Sequence, residues 1–262
     1  MANLKQKIVE KANLYGFDVS KFKSTISGWS FYNRDKATLI QQKGNNTDFP
    51  FGKPFPILNE RTETAGTMSG HYFHQDLYMA KQIFKANPSR HLDIGSRIDG
   101  FIAHVASFRE IEVMDIRPQQ TAVENIVFKQ ADLMILPDDV LEAYDSISSL
   151  HVIEHFGLGR YGDPIDYYGH LKAFENIGKM LKKGGVFYFS TPIGKQRIEF
   201  NAHRIFSVKY LKTIFEKSYE IKRFSIVNDE GNLELDCPLD ENSLANNYNF
   251  NYGCGMFTLI KK

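Results

Sequence analysis

The stretch Ser149-Leu150-His151-Val152-Ile153-Glu154-His155-Phe156-Gly157 sets two imidazoles around a carboxylate in the order H-x-x-E-H. On a helix that spacing stacks both histidines one turn apart beside the glutamate, as in an inverted zinc-protease motif. The flanking residues argue for a different setting. Ser146, Ser148 and Leu150 alternate as a strand does, Gly157 and Gly159 would end a ligand helix at once, and no acidic helix downstream offers a third ligand. The expectation is therefore no metal site, with Glu154 and His155 placed just beyond the end of a strand.

Other residues able to do chemistry also fall at expected strand ends. In Leu92-Asp93-Ile94-Gly95-Ser96-Arg97-Ile98-Asp99-Gly100 a strand runs into a glycine turn and then a helix. Gly95 lets the backbone approach a ligand with no Cβ in the way. The helix start that follows presents free N–H groups. Asp115 lies 20 residues beyond Gly95, where a carboxylate can accept both hydroxyls of a ribose. Asp132 ends the next strand in the same manner and is placed to reach an adenine amine. Leu133 beside it would supply an apolar wall.

The elements that must hold these residues follow from patterning. Residues 1–43 are expected to form short helices, with Ile8, Val9, Ala12 and Tyr15 on one face. Residues 44–70 are rich in Gly, Pro and Asn and read as a long irregular loop. A helix over 71–87 follows, marked by Tyr72, Asp76, Met79, Ala80 and Ile83. From residue 90 short apolar strands at 90–95, 111–116, 125–133, 144–153, 184–192, 219–229 and 255–262 alternate with helices. Asp163 and Pro164 predict the start of one helix, Lys182 to Gly184 its end, and Ser207 caps another. The whole predicts an α/β fold: a Rossmann-like, doubly wound sheet of seven mostly parallel strands, with an N-terminal helical cap and loop over 1–70 and a core domain over 71–262. In such sheets ligands bind at the carboxyl ends of the strands.

The strings LDIGSRIDG, MDIRP, QADL, YDSISSLHVIEHF and LKKGGVFYFSTP, in this order and spacing, resemble the class I S-adenosylmethionine-dependent methyltransferases over residues 75 to 230. The resemblance implies an antiparallel last strand in GMFTLIKK and S-adenosylmethionine as cofactor, with S-adenosylhomocysteine as product. It assigns Gly95 and Ser96 to the methionine end, Asp115 to the ribose, Asp132 with Leu133 beside it to the adenine, Ile116 to the cofactor, and His151 to the cofactor's flank. His155 becomes the candidate general base, with Glu154 beside it. His203 and Arg204 in the loop after the fifth strand become alternative acceptor ligands, as do Arg160, Tyr161 and Asp163. His71, Tyr72, His74 and Gln75 fall where such enzymes fold a lid, and Gln75 is assigned to the cofactor. One departure is visible: Arg97 and Asp99 stand where the family has its second and third glycines, and Gly100 comes one residue late. SGHYFHQDL and DGFIAHV are also similar to bacterial methyltransferase-like proteins of surface-polysaccharide (capsule) biosynthesis. That implies a small sugar-derived acceptor.

Two other functions share parts of this pattern. A non-catalytic protein could keep the fold and pocket, as the altered glycine loop allows. A nicotinamide-dependent oxidoreductase also uses a glycine turn and an acid 20 residues on, but LDIGSRIDG lacks the G-x-G-x-x-G that approaches a pyrophosphate. A net charge of +1 over 262 residues gives no reason to expect nucleic acid as a partner. No apolar run approaches the roughly 18 residues that span a bilayer, and the first residues carry no apolar leader. Two cysteines make no disulfide framework. These features lead to the expectation of a cytoplasmic protein with neither nucleic acid nor membrane as partner.

Overall fold

The computed structural model describes residues 4–61, 63–136 and 140–262, in two compact units, Met1–Thr67 and Met68–Lys262. The first three residues of the predicted cap, and Thr62 of the predicted loop, lie outside the described residues.

In the first unit the expected short helices are one short and one long: α1 (Leu4–Leu14) and the 25-residue α2 (Val19–Lys43). Asp18 starts α2 by accepting a hydrogen bond from the Lys21 amide at 2.9 Å, and Gly44 ends it at φ 48°. The Ile8 and Val9 face is exposed, as is Tyr15. Residues 45–61 and 63–67 hold no helix or strand. Leu58 lies so close to α2 that a Cβ on Gly28 would come within 2.1 Å of its carbonyl oxygen.

The second unit opens with α3 (His71–Ala86), whose Met79, Ala80 and Ile83 are buried as the spacing predicts. The strands follow as β1 (His91–Ile94), β2 (Ile111–Asp115), β3 (Ile126–Gln130), β4 (Tyr144–Leu150) and β5 (Leu181–Ile193). Between β1 and β2 a wide turn at Ile98–Ile102 leads into α4 (Ala103–Ala106). α5 (Gly169–Met180) precedes β5. Beyond β5 come the hairpin β6 (Arg197–Glu199) and β7 (His203–Ile205), then α6 (Val208–Phe215), β8 (Tyr219–Val227), β9 (Leu233–Glu234), α7 (Glu241–Asn246) and β10 (Gly253–Lys261).

The main sheet has the order β3-β2-β1-β4-β5-β10-β8-β9. β1 to β5 are parallel, and β10 runs antiparallel between β5 and β8. The seven expected strands are present, and the two-residue β9 extends the edge to eight. Burial on both faces explains the continuous apolar runs. Phe187 and Phe189 of β5 pack with Phe174 of α5 and Phe215 of α6 on one side. Tyr188, pointing the other way, joins Met79 and Ile83 of α3 and Phe101 and Val105 near α4. Each such side chain stabilises the fold by about 1.5–3 kcal/mol when fully buried.

Both ends of one helix differ from the expectation. α5 starts at Gly169, not after Asp163, and Lys182 to Gly184 already lie in β5. Asp163 has other partners, described below. Ser207, in contrast, does cap α6 by accepting from the Tyr210 amide at 3.2 Å. No described helix is long and apolar enough to cross a membrane.

Candidate functional site

The chain runs outward from β1 through β2 to β3, then returns to place β4 on the other side of β1. That reversal leaves a crevice at the carboxyl ends of β1 and β4, the usual ligand position in such sheets. It holds about 560 Å³ of empty space, part of it open to solvent. Ile94, Gly95, Asp115, Ile116, Asp132, Leu133, His151 and His155 all line it, so residues far apart in the chain converge as expected.

At the floor, Gly95 has φ 69°, and a Cβ there would stand 2.5 Å from Val152 Cγ1. Its turn is held by Asp93, a buried carboxylate that accepts from the Ser96 amide at 2.9 Å, the Ser96 hydroxyl at 2.7 Å and the Ser148 hydroxyl. Burial without a countercharge pushes Asp93 up to about 7. The Ser96 hydroxyl also accepts from the Leu150 amide at 3.1 Å. Ser96 thus ties the loop to β4, and it lines a neighbouring cleft with Arg97 and Asp99 rather than the crevice. Gly100, one residue late for the family pattern, serves helix packing: a Cβ there would meet Asp76 of α3 at 2.4 Å.

Asp115 ends β2 at the crevice wall, and Arg117 takes both of its oxygens, Nε reaching Oδ1 at 2.9 Å and Nη2 reaching Oδ2. The guanidinium also sits 4.7 Å from the centre of the Tyr161 ring. Asp132 accepts from the Met134 amide at 2.9 Å. The carbonyl of Leu133 is held by Asn176 of α5 at 2.8 Å, which fixes the loop after β3.

Past β4 the H-x-x-E-H string forms a turn, not a ligand helix. His151 has φ 56°, a conformation that costs a non-glycine residue energy and is found mostly at functional positions. Its Nδ1–H donates to Glu154 Oε1 at 2.9 Å, and Thr191 donates to the other Glu154 oxygen at 3.4 Å. Burial opposes charge on His151, but the adjacent Cys254 and Glu154 outweigh it and hold its pKa well above the usual 6.5. Burial likewise opposes charge on Glu154, and His151 outweighs it to keep that carboxyl below its usual range. Glu154 is fully enclosed, does not line the crevice and spends its oxygens on His151 and Thr191.

His155 donates from Nδ1 to the Ala202 carbonyl at 2.6 Å. That bond leaves the Nε2 lone pair free, the tautomer a general base requires. Burial lowers its pKa below 6.5, so the ring is neutral at pH 7. Arg160 donates to the same carbonyl at 3.0 Å. Tyr161 meets the His155 ring edge to face at 5.7 Å.

Several expected site residues lie elsewhere. Gln75 is buried, accepting from the Ser190 hydroxyl at 2.6 Å and donating to Asp76 at 3.1 Å, and is absent from the crevice wall. His203 bonds Glu199 at 3.0 Å, its ring 6.3 Å from that of His155 and outside the wall. Arg204 is buried and donates to the carbonyls of Phe156 and Tyr167, so it holds the turn together and is not free for an acceptor. Asp163 lines the crevice with its backbone neighbours but spends its oxygens on the amides of Gly157, Gly159 and Tyr161. Sequence reasoning passed over Asp93, although it directly precedes Ile94-Gly95, and Arg117, although it stands two residues from Asp115.

Strand order, the parallel strands β1 to β5 and the reversed β10 define a Rossmann-like methyltransferase fold. The chain belongs to the family described as "Caenorhabditis protein of unknown function, DUF268", whose model matches residues 107–256. Solved structures of similar fold include the N-methyltransferase NodS from Bradyrhizobium japonicum WM9 in complex with S-adenosyl-L-homocysteine. It is 14% identical with a TM-score of 0.48, covering 73% of this chain and 88% of that one. A putative sarcosine dimethylglycine methyltransferase from Galdieria sulphuraria is 14% identical, covers 71% and 85%, and has a TM-score of 0.49. The YcgJ protein of Bacillus subtilis is 15% identical, covers 72% and 98%, and has a TM-score of 0.49. No curated protein matches the sequence.

Proposed function

We propose that the chain is a methyltransferase that uses S-adenosylmethionine to methylate a small acceptor, a hydroxyl of a sugar or sugar derivative. The observation that carries this reading is the convergence, on one crevice, of a Cβ-free floor at Gly95, carboxylates at Asp115 and Asp132, and an unprotonated imidazole at His155. These residues fit the cofactor. Asp115 would hold the ribose hydroxyls once Arg117 releases them, Asp132 the adenine amine, and Ile94, Ile116 and Leu133 the apolar walls. The missing second and third glycines matter less than they would for a dinucleotide, because S-adenosylmethionine has no pyrophosphate to cradle.

Bound S-adenosylmethionine would supply an electrophilic methyl group on its sulfonium. The chain's own part is alignment and proton removal. His155 Nε2 would take the proton of the acceptor hydroxyl, while Ala202, through Nδ1, keeps the Nε2 lone pair free. Glu154, 3.9 Å from Nε2, would stabilise the imidazolium that results. The sugar identity of the acceptor is supported by the sequence resemblance to surface-polysaccharide methyltransferases.

Thermal unfolding with S-adenosylhomocysteine or NADH added separately tests the reading. A ligand at about 100 times its dissociation constant adds roughly 2.7 kcal/mol and moves the midpoint by several degrees. A shift with S-adenosylhomocysteine alone is expected; a shift only with NADH would favour the oxidoreductase and overturn the proposal.

A further inference from the structure

Behind the crevice wall, three residues from distant parts of the chain meet. His71 opens α3, His151 follows β4, and Cys254 lies near the start of β10; one ligand atom of each lies within 4.8 Å of the other two. The His71 and His151 rings are stacked at 5.2 Å and 14°. Cys254 and His151 are buried and His71 partly so. Stacking with His151 and Tyr252 explains the position of the His71 ring. It does not account for the environment of Nε2 of His151, a fully enclosed polar atom with no partner at ordinary hydrogen-bond geometry and the adjacent Cys254 thiol as its neighbour. A thiol is a weak hydrogen-bonding partner, so a buried nitrogen beside it is under-satisfied.

The surroundings resemble the outer shell of a metal site. Histidines that ligate metals almost always give their other ring nitrogen to a carboxylate or a backbone carbonyl. His151 gives Nδ1 to Glu154, itself held by Thr191. The His71 ring is bonded to the backbone of Tyr252. The Cys254 sulfur pairs with the His151 ring, and its other contacts are long, 3.9 Å to Gln75 and 4.0 Å to the Gly255 carbonyl.

We propose that His71, His151 and Cys254 form a binding site for a borderline-soft divalent cation of the zinc type, with one coordination position left open. Two nitrogens and a thiolate suit zinc, with bonds of about 2.0–2.1 Å to nitrogen and 2.3 Å to sulfur. A tetrahedral ion needs its ligand atoms about 3.3–3.8 Å apart, so the cluster must contract by roughly an ångström. His71, at a helix start and only partly buried, is the member free to move. The ion would tie α3 and β10 to the turn after β4. This site shares His151 with the crevice wall and Glu154 with the proposed base, but neither reading requires the other to be correct.

Cobalt(II) titration of the metal-stripped full chain is the test, since a cobalt–thiolate bond gives a charge-transfer band in the near ultraviolet. One equivalent is expected to bind, to show that band and to be displaced by zinc. Cys254→Ser should abolish the band and Cys237→Ser should preserve it. Glu154→Gln should weaken binding by about 10–100-fold, as for other outer-shell partners. Should Cys254→Ser fail to fold, His71→Ala, nearer the surface, should weaken binding at least as much while circular dichroism shows a native fold. No tight cobalt binding, a spectrum without the thiolate band, or a band that persists in Cys254→Ser or is lost in Cys237→Ser would overturn the proposal. A thermal shift with S-adenosylhomocysteine alongside any of these results would show the cofactor reading standing by itself.

Discussion

Arg117 closes on both carboxylate oxygens of Asp115, the acid proposed to hold a ribose. The Arg117 side chain is 49% exposed and that of Asp115 only 12%. A pair with one partner half in water contributes about 0–1 kcal/mol, whereas hydrogen bonds to a carboxylate are worth about 1.5–3 kcal/mol each. Ribose hydroxyls can therefore displace the arginine. Asp115→Ala should weaken S-adenosylhomocysteine binding at least about tenfold, while Arg117→Ala should leave it equal or tighter. Isothermal titration calorimetry checks both, and a tenfold loss in Arg117→Ala would place the guanidinium on the ligand instead.

Removing the base should separate chemistry from binding. His155→Gln is expected to lower turnover by about 10²–10⁴ with cofactor affinity unchanged. In the wild type, turnover should fall as pH drops through the His155 pKa, which burial places below 6.5. Release of S-adenosylhomocysteine with a sugar acceptor measures both; near-normal turnover of the variant would remove His155 from the role.

Gly95→Ala tests the floor. At φ 69°, with Val152 Cγ1 2.5 Å from the added Cβ, the variant combines backbone strain with a clash. Strain alone costs about 1–3 kcal/mol. Denaturant unfolding should show at least that loss, and a neutral result would mean that the turn can relax.

Arg204 of β7 donates hydrogen bonds to the Phe156 and Tyr167 carbonyls. Arg204→Met should cost about 1–3 kcal/mol for each carbonyl left buried and unmatched. Urea midpoints report this directly, and an unchanged midpoint would show that water replaces the guanidinium.

Acid stability should depend on His170. Burial, followed by the Arg204 charge, lowers its pKa to about 4. Between pH 6.5 and about 4 the unfolded chain binds a proton that the folded chain refuses, so stability falls as pH falls through that window. His170→Gln should flatten the dependence of melting temperature on pH there. Asp93, raised to about 7, acts in the opposite sense but is common to both proteins, so an unchanged slope would count against His170 alone.

Much of the sheet was legible because burial on both faces leaves apolar runs that need no partner to be recognised. The strand ends were legible for a related reason: a polar residue closing an apolar run must face water or a ligand, as Asp115 and Asp132 do. Helix starts were legible only where the capping side chain acts locally. Ser207 caps three residues ahead, whereas Asp163 folds back on Gly157 and Gly159, and its sequence is silent about that choice.

The order of strands and glycines thus determined the α/β class and the position of the crevice, since both follow from short-range patterning. Tertiary structure alone decided which polar and charged groups are free. Arg204 is consumed by carbonyls, Ser96 by Asp93, and Asp115 by Arg117, and none of these pairings follows from residue type. The meeting of His71, His151 and Cys254 belongs to the same category. Their separations in the chain exceed 75 residues, and only the insertion of β10 beside β5, under the start of α3, brings them together.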